Sequence, residues 1–183
     1  MNVPNALSAL RIVLVPAFIA VFLSDGSNAY PLAVLIFLFA GLTDILDGII
    51  ARRFHLITRL GRILDPLADK LMILSALVCV SLRELLPWWV AIVYFVKEAV
   101  QLILGAVFFK RQKDVPSSNV LGKSATVTFY IAIAVLILFE NISYLFKIIL
   151  FLAALLLALA AFATYYFTAI RIEPSNGGKK QGI

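Results

Sequence analysis

Six apolar runs, each long enough to cross a bilayer, make up most of this sequence. They cover residues 7–23, 31–51, 63–82, 87–109, 120–139 and 145–170. A membrane-spanning helix needs about 20 mainly apolar residues, and all its backbone hydrogen bonds form within the segment. The chain is 63% hydrophobic and 14% charged, whereas about 25% of the residues in a soluble domain are charged. The sequence therefore predicts an all-α integral membrane protein, a bundle of six transmembrane helices.

Basic residues collect in the connectors on one side of the predicted membrane. On the side that carries both termini they are Arg52, Arg53, Arg59, Arg62, Lys110, Arg111, Lys113, Arg171, Lys179 and Lys180. The opposite connectors hold only Arg83 and Lys147. Because cytoplasmic connectors carry an excess of Lys and Arg, we expect both termini in the cytoplasm. The net charge of +6 then reflects the orientation of the chain in the membrane. It does not indicate binding to nucleic acid, and we expect no nucleic-acid partner.

The length of the chain leaves no room for a separate soluble domain beside six spans. Residues 1–172 are therefore predicted to form one membrane domain. Residues 173–183 have the composition of a disordered segment and are predicted to be a cytoplasmic tail. The first apolar run is as short as a secretory signal peptide, but its charge, Arg11, lies inside the run and no small-residue cleavage site follows. We expect this run to remain as the first span.

Five acidic residues lie inside predicted spans or at their cytoplasmic ends, where charge is costly. They are Asp44, Asp47, Asp65, Asp69 and Glu98. A carboxylate in an apolar span costs about 2.5–3.5 kcal/mol on insertion scales, so four close together need a partner. Helical spacing puts Asp44 and Asp47 on one face, and Asp65 and Asp69 on one face of the next helix. A hairpin between these helices brings the two faces together.

The residue types in this set favour hard divalent cations. Four like charges in a small space cannot all stay ionised unless cations lie among them. The chain has one cysteine and one histidine, so the ligands available are oxygen atoms, which Mg²⁺ and Mn²⁺ prefer. Two such ions would balance four carboxylates. The simpler alternative is that the acids pair with basic residues at the level of the lipid headgroups, namely Arg52, Arg53, Arg59, Arg62 and Lys70.

The small residues and the arginine next to the carboxylates suggest a bound anion. Gly48 and Ala51 leave the carboxylate face of the helix bare where a ligand can approach the backbone. Arg52 follows at the next position and can reach an anion held by the metals. An arginine beside metal-binding carboxylates is the arrangement expected for phosphate or pyrophosphate chemistry.

The full spacing resembles the signature of the CDP-alcohol phosphatidyltransferase family, D-x-x-D-G-x-x-A-R-x(8)-G-x-x-x-D-x-x-x-D. The matching positions are Asp44, Asp47, Gly48, Ala51, Arg52, Gly61, Asp65 and Asp69. The resemblance implies a six-helix membrane bundle, usually dimeric, with a polar cavity open to the cytoplasm. It also implies an enzyme that displaces CMP from CDP-diacylglycerol by attack of an alcohol hydroxyl, in a bacterial cytoplasmic membrane.

The resemblance also implies roles for individual residues. The four aspartates would surround a two-metal centre of Mg²⁺ or Mn²⁺, and Asp69 would also be the base for the attacking hydroxyl. The CDP moiety would be contacted by Gly48, Ala51, Arg52 and Gly61. The opening Pro4-Asn5-Ala6-Leu7-Ser8-Ala9-Leu10-Arg11 is similar to that of phosphatidylglycerophosphate and cardiolipin synthases, which implies that Asn5 and Arg11 line the nucleotide side of the cavity.

The acceptor alcohol is less constrained by the sequence. Phosphatidylglycerophosphate synthases tend to carry Arg-Glu in the fourth span, an Arg eight residues later, and G-K-x-K-T at the start of the fifth. The corresponding residues here are Lys97-Glu98, Gly105 and Gly122-Lys123-Ser124-Ala125-Thr126. Lys97 and Lys123 can still bind the phosphate of glycerol 3-phosphate, the acceptor we favour, although Lys does not replace Arg fully at such a site. The absence of these cationic side chains partly favours cardiolipin synthase, whose acceptor is phosphatidylglycerol.

Two functions of other classes remain open. A small divalent-cation transporter would account for intramembrane carboxylates, but not for Arg52, which would repel cations on their path. A structural or partner-binding membrane subunit would need none of the carboxylates.

Overall fold

The computed structural model describes residues 3–54, 61–110, 120–139 and 141–171. These residues form six α-helices: α1 Val3–Phe22, α2 Ala29–Arg53, α3 Gly61–Leu82, α4 Trp88–Lys110, α5 Val120–Leu138 and α6 Tyr144–Arg171. Each predicted apolar run matches one of these helices, apart from single end residues at Leu23, Pro87 and Phe139, so the all-helical prediction is confirmed for this part of the chain. The predicted tail, residues 173–183, lies outside the described residues.

Three of the described helices are long and apolar enough to cross a membrane. The spans are Asn5–Phe22, Ala29–Ile50 and Tyr144–Thr164. A shorter apolar stretch in α5 runs from Ser124 to Leu138. The helices α3 and α4 carry several charged residues, and such helices are stable in lipid only when the charges face the bundle interior. Six spans therefore stay a prediction for three of the helices.

The outer faces of the bundle are apolar. Leu35, Leu42 and Ile103 are each more than half exposed. Large contiguous apolar surfaces on a folded chain mark contact with a membrane or with another protein. This surface agrees with a protein that is surrounded by lipid.

Aromatic rings fill the core between α1, α2 and α5. The ring of Phe18 lies 5.7 Å from that of Phe37, and Phe37 in turn stacks on Tyr130 at 4.5 Å. Phe18 and Phe37 are fully buried. These contacts connect the first hairpin to α5, which packs on α2 and α6.

The end of α3 is held by a Schellman motif, in which the left-handed residue after the helix is Glu84 (φ 59°). The amide of Leu85 donates to the Val80 carbonyl at 2.9 Å, and the amide of Glu84 donates to the Ser81 carbonyl. Nearby, Arg83 donates from Nη2 to the Leu23 carbonyl at 2.8 Å. The α1–α2 connector and the end of α3 are thereby joined at one end of the bundle, and the acidic ends of α2 and α3 lie at the other.

Candidate active site

The start of α1, the end of α2 and the start of α3 meet at one end of the bundle. Because α2 is joined to both neighbours by short connectors, it runs antiparallel to them, and α1 packs against both α2 and α3. The charge of Asp44 interacts with those of Asp47, Asp65 and Asp69. The hairpin predicted from the sequence therefore brings the two carboxylate faces together.

A guanidinium group from α1 lies among these carboxylates. Arg11 Nη1 is 2.7 Å from Asp44 Oδ1, and Nη2 is 2.5 Å from Asp47 Oδ2. Nη1 also donates to the main-chain carbonyl of Asp65 at 3.4 Å. The Arg11 side chain is 0% exposed, and within the described residues its Nε has no hydrogen-bond partner. A cation supplied by the protein itself thus offsets part of the acidic charge.

Neither interpretation of the sequence included the contacts of Arg11 with Asp44 and Asp47, and the place of Arg11 beside the nucleotide stays a prediction. The family resemblance implied that Arg11 lines the nucleotide side of the cavity, and the alternative paired the acids with the connector arginines and Lys70. Arg11 is the single charged residue in α1, and a lone charge in an apolar helix is a signal for a partner of opposite sign in the bundle. That signal was present in the sequence, but it did not say which acids were the partners.

Asp65 is contacted by the same face of α1. The hydroxyl of Ser8 donates to Asp65 Oδ1, and Ser8 is fully buried. Ser8 and Arg11 are three positions apart and so lie on one side of the helix. Asn5, another three positions earlier, is partly buried on α1. The contact between Ser8 and Asp65 was not anticipated from the sequence.

Asp69 accepts a hydrogen bond from α5. The hydroxyl of Tyr130 donates to Asp69 Oδ1 at 3.1 Å. Asp69 also interacts with the charges of Arg11, Lys70 and Lys97. The residue expected to act as a base therefore accepts a hydrogen bond from a phenol hydroxyl and lies within the electrostatic influence of three cations.

Glu98 lies between two lysines. Lys97 Nζ is 2.5 Å from Glu98 Oε1, and Lys70 from α3 donates to Oε2. Glu98 is 5% exposed, and the Lys97 ammonium is 5.3 Å from the centre of the Tyr94 ring. The predicted acceptor residue Lys97 thus has a second lysine beside it, and the three groups carry a net charge of +1 when all are ionised.

The remaining predicted site residues are placed less fully. Gly48 is partly buried next to Asp47, and Gly61 is the buried first residue of α3. The side chains of Ala51, Arg52 and Lys123 lie outside the described part of the chain. Their roles stay predictions.

The four carboxylates provide the donors that a hard cation needs, but their described arrangement is not that of a metal centre. Among the described residues, no three acidic, histidine or cysteine side chains lie in a group that could hold an ion. Asp44 and Asp47 instead share the Arg11 guanidinium. This shared cation shows that the pair binds positive charge, and oxygen ligands of this kind are those of Mg²⁺ and Mn²⁺. Four carboxylates are a donor set of the type that fits a divalent ion, whereas in the described arrangement Asp44 and Asp47 contact Arg11.

Comparison with known proteins gives a match over most of the chain. Residues 1–166 match the family model of the CDP-alcohol phosphatidyltransferases. A cardiolipin synthase (CMP-forming) of Streptomyces coelicolor is 38% identical over 144 residues, which are 77% of this chain and 67% of the relative. A CDP-diacylglycerol--glycerol-3-phosphate 3-phosphatidyltransferase of Bacillus subtilis is 33% identical over 165 residues, 79% of this chain and 83% of the relative.

A third relative matches more of the chain. It is a probable phosphatidylglycerophosphate synthase of Mycobacterium tuberculosis, 33% identical over 174 residues, which are 93% of this chain and 82% of the relative. The relatives thus carry two kinds of name, which differ in the acceptor of the transferred group.

Proposed function

This chain belongs to the CDP-alcohol phosphatidyltransferase family, and we propose that it transfers the phosphatidyl group of CDP-diacylglycerol to the hydroxyl of sn-glycerol 3-phosphate. The products are CMP and phosphatidylglycerophosphate. Relatives named for this reaction in Bacillus subtilis and Mycobacterium tuberculosis support the proposal. The family generally uses divalent metal ions.

The observation that carries the choice of acceptor is the pair of lysines beside Asp69. Lys70 and Lys97 both contact Glu98, and both interact with the charge of Asp69. A phosphate monoester needs two or more well-placed cations, and the two lysines, which with Glu98 keep a net charge of +1, are candidates near the expected base. Lys123 is a further candidate from the sequence. Glycerol 3-phosphate has such a monoester, and phosphatidylglycerol does not.

In the proposed reaction the acceptor hydroxyl attacks the phosphorus of the phosphatidyl group. The new P–O bond forms as the bond to CMP breaks, and Asp69 takes the proton from the hydroxyl. Lys70 and Lys97 hold the acceptor phosphate so that its hydroxyl faces Asp69. No covalent intermediate on the protein is required.

The CDP moiety is proposed to lie against the carboxylate face of α2. Gly48, Ala51, Arg52 and Gly61 would contact it, with Asn5 and Arg11 on the α1 side. A guanidinium group can bind phosphate oxygens through two parallel hydrogen bonds, so Arg52 suits the pyrophosphate.

Two ions, Mg²⁺ or Mn²⁺, are proposed to be held by Asp44, Asp47, Asp65 and Asp69. When bound, such ions polarise the phosphoryl oxygens and stabilise the charge on the leaving CMP. The support for these ligands is the carboxylate set itself and the cation that Asp44 and Asp47 already share.

In the cell we propose a homodimer of six-span subunits in a bacterial cytoplasmic membrane. Both termini and the polar cavity would face the cytoplasm, where CDP-diacylglycerol headgroups and glycerol 3-phosphate are accessible. The excess of basic residues in the connectors on that side supports this orientation.

The second candidate acceptor is phosphatidylglycerol, which would make the chain a cardiolipin synthase. The 38% identity to the Streptomyces coelicolor relative of that name favours it, as does Gly105 where a second arginine is expected. A divalent-cation transporter is less well supported, because an arginine lies between Asp44 and Asp47.

The test is CMP release by the purified protein with CDP-diacylglycerol and Mg²⁺, with the two acceptors supplied separately and the lipid product identified. We expect release with glycerol 3-phosphate and a phosphatidylglycerophosphate product. Release with phosphatidylglycerol alone would assign cardiolipin synthesis. Metal uptake into liposomes without CMP release would support the transporter.

A further inference from the structure

The phenol of Tyr130 reaches across the bundle to Asp69. Tyr130 is in the middle of α5, and its hydroxyl donates to Asp69 Oδ1 on α3 at 3.1 Å. The residue is 7% exposed, so the hydrogen bond lies in a site largely shielded from solvent. Neither the sequence motif nor the names of the relatives assign a role to this tyrosine.

Phe37 and Gly41 of α2 form a slot that fixes the position of the Tyr130 ring. Phe37 stacks on the ring with centroids 4.5 Å apart and planes inclined by 26°. Four residues later, on the same face of α2, Gly41 leaves room for the ring edge. A Cβ atom at Gly41 would lie 2.8 Å from Tyr130 Cε1 and 2.9 Å from Cδ1.

The closeness of this approach explains a glycine inside α2. Glycine disfavours a helix relative to alanine, so a glycine in a helix interior usually has a packing reason. Here the absent side chain lets the Tyr130 ring come close enough to α2 for its hydroxyl to meet Asp69. Only two rotatable bonds of the Tyr130 side chain place its ring, and Phe37 and Gly41 confine that ring. The direction of the hydroxyl is therefore constrained.

We propose that Tyr130 is a positioning residue that orients the Asp69 carboxylate for proton abstraction, with Gly41 as the feature of α2 that makes room for it. The inference rests on the proposed function, in which Asp69 is the base. The hydroxyl of Tyr130 holds Oδ1, so the proposal assigns Oδ2 to the hydroxyl of the acceptor. During the reaction the proton of the acceptor hydroxyl passes to Oδ2, while Tyr130 keeps its own proton.

The first test is Tyr130→Phe in the CMP-release assay on the purified full-length protein in detergent. The variant keeps the ring in its slot and loses only the donor. We expect kcat to fall about 10- to 100-fold, as for a misplaced catalytic group. The KM values for CDP-diacylglycerol and the acceptor are expected to stay within about twofold of those of the parent. The thermal unfolding temperature is expected to stay within a few degrees of that of the parent.

The matched control is Tyr30→Phe, which removes a phenol hydroxyl from a ring stacked on Phe22 at 5.0 Å, away from the carboxylates. It is expected to leave kcat unchanged. A fall in kcat equal to that of Tyr130→Phe would show a general effect of losing a tyrosine hydroxyl and would overturn the assignment.

The second test is Gly41→Ala, alone and combined with Tyr130→Phe. The added methyl group displaces the ring and with it the hydroxyl, so Gly41→Ala alone is expected to lower kcat. In the double variant kcat is expected to equal that of Tyr130→Phe, because no hydroxyl remains to be displaced. Independent, multiplicative losses would mean that Gly41 does not act through Tyr130.

The outcomes separate this inference from the proposed function. Full kcat in Tyr130→Phe, or a loss that lies only in KM, would overturn the positioning role while the parent still released CMP. No CMP release from the parent with either acceptor would overturn the proposed function and this inference with it.

Discussion

Arg11 Nη2 lies 2.5 Å from Asp47 Oδ2, and the two side chains are 0% and 3% exposed. Asp47 belongs to the carboxylate set proposed to hold metal ions. A buried ion pair of this kind is strongly destabilised when one partner is removed, because the other charge is left uncompensated. This buried ion pair therefore predicts how the thermal stability of the protein depends on divalent metal ions.

We expect Arg11→Met to lower the thermal unfolding temperature by about 10 °C in EDTA, since it leaves Asp44 and Asp47 without their shared cation. Mg²⁺ is expected to recover at least half of that loss, because a bound Mg²⁺ ion can neutralise the charges of Asp44 and Asp47 in place of the guanidinium. The measurement is thermal unfolding of the purified protein in detergent, with EDTA and with millimolar Mg²⁺.

The control for this experiment is Arg83→Gln, which removes a cation at the opposite end of the bundle, where Arg83 donates to the Leu23 carbonyl. Its unfolding temperature is expected to change by the same amount with and without Mg²⁺. If the loss in Arg11→Met is likewise independent of Mg²⁺, the carboxylates do not take a metal ion in place of the guanidinium.

We expect Asp69→Asn to lower kcat by about 10²- to 10⁴-fold, because the amide cannot accept the proton of the attacking hydroxyl. The fold and much of the binding of CDP-diacylglycerol should remain, since asparagine keeps the shape of the side chain. Steady-state kinetics and binding of the CDP-lipid to the purified variant measure the two effects. Asp25→Asn, at a side chain that is 96% exposed near the other end, serves as the control, and undiminished turnover in Asp69→Asn would exclude the role as base.

The lysines beside Glu98 are expected to determine the affinity for glycerol 3-phosphate. Lys97→Met and Lys70→Met should each raise its KM about 10-fold or more, which is the effect of losing a hydrogen bond to a charged group. Lys123→Ala is expected to act in the same direction. The KM for CDP-diacylglycerol should change much less.

Kinetics with varied glycerol 3-phosphate measure this effect, with Arg83→Gln as the variant that loses a cation elsewhere. An unchanged KM for glycerol 3-phosphate in both Lys97→Met and Lys70→Met would count against the phosphate contact.

The orientation of the six helices can be tested by cysteine labelling. The chain has one cysteine, Cys79, which is buried, so Cys79→Ala provides a background without thiols. In that background we expect Ser27→Cys to react with a membrane-impermeant maleimide in intact cells. Ser118→Cys is expected to react only after lysis, because its connector would lie in the cytoplasm; the reverse pattern would overturn the orientation.

The position of each carboxylate pair on one helix face could be predicted from the sequence, because helical periodicity is a local property. Asp44 and Asp47, and likewise Asp65 and Asp69, are three or four positions apart, so their place on a shared face follows from residue spacing alone. The short connector between the two helices made the hairpin predictable as well. The apolar runs predicted the six described helices for a similar reason, because length and hydropathy are read along the chain.

The partners of these carboxylates depended on which helices became neighbours. Arg11 meets Asp47 across 36 positions and Tyr130 meets Asp69 across 61 positions, distances over which spacing carries no information. Which side chains meet is decided by the packing of whole helix faces. The bare backbone at Gly41, for example, lets the Tyr130 ring approach α2. The sequence by itself determined the helices and the acidic faces, whereas only the tertiary structure decided which cation and which hydroxyl those faces contact, because close packing depends on the shapes of all the surfaces that meet.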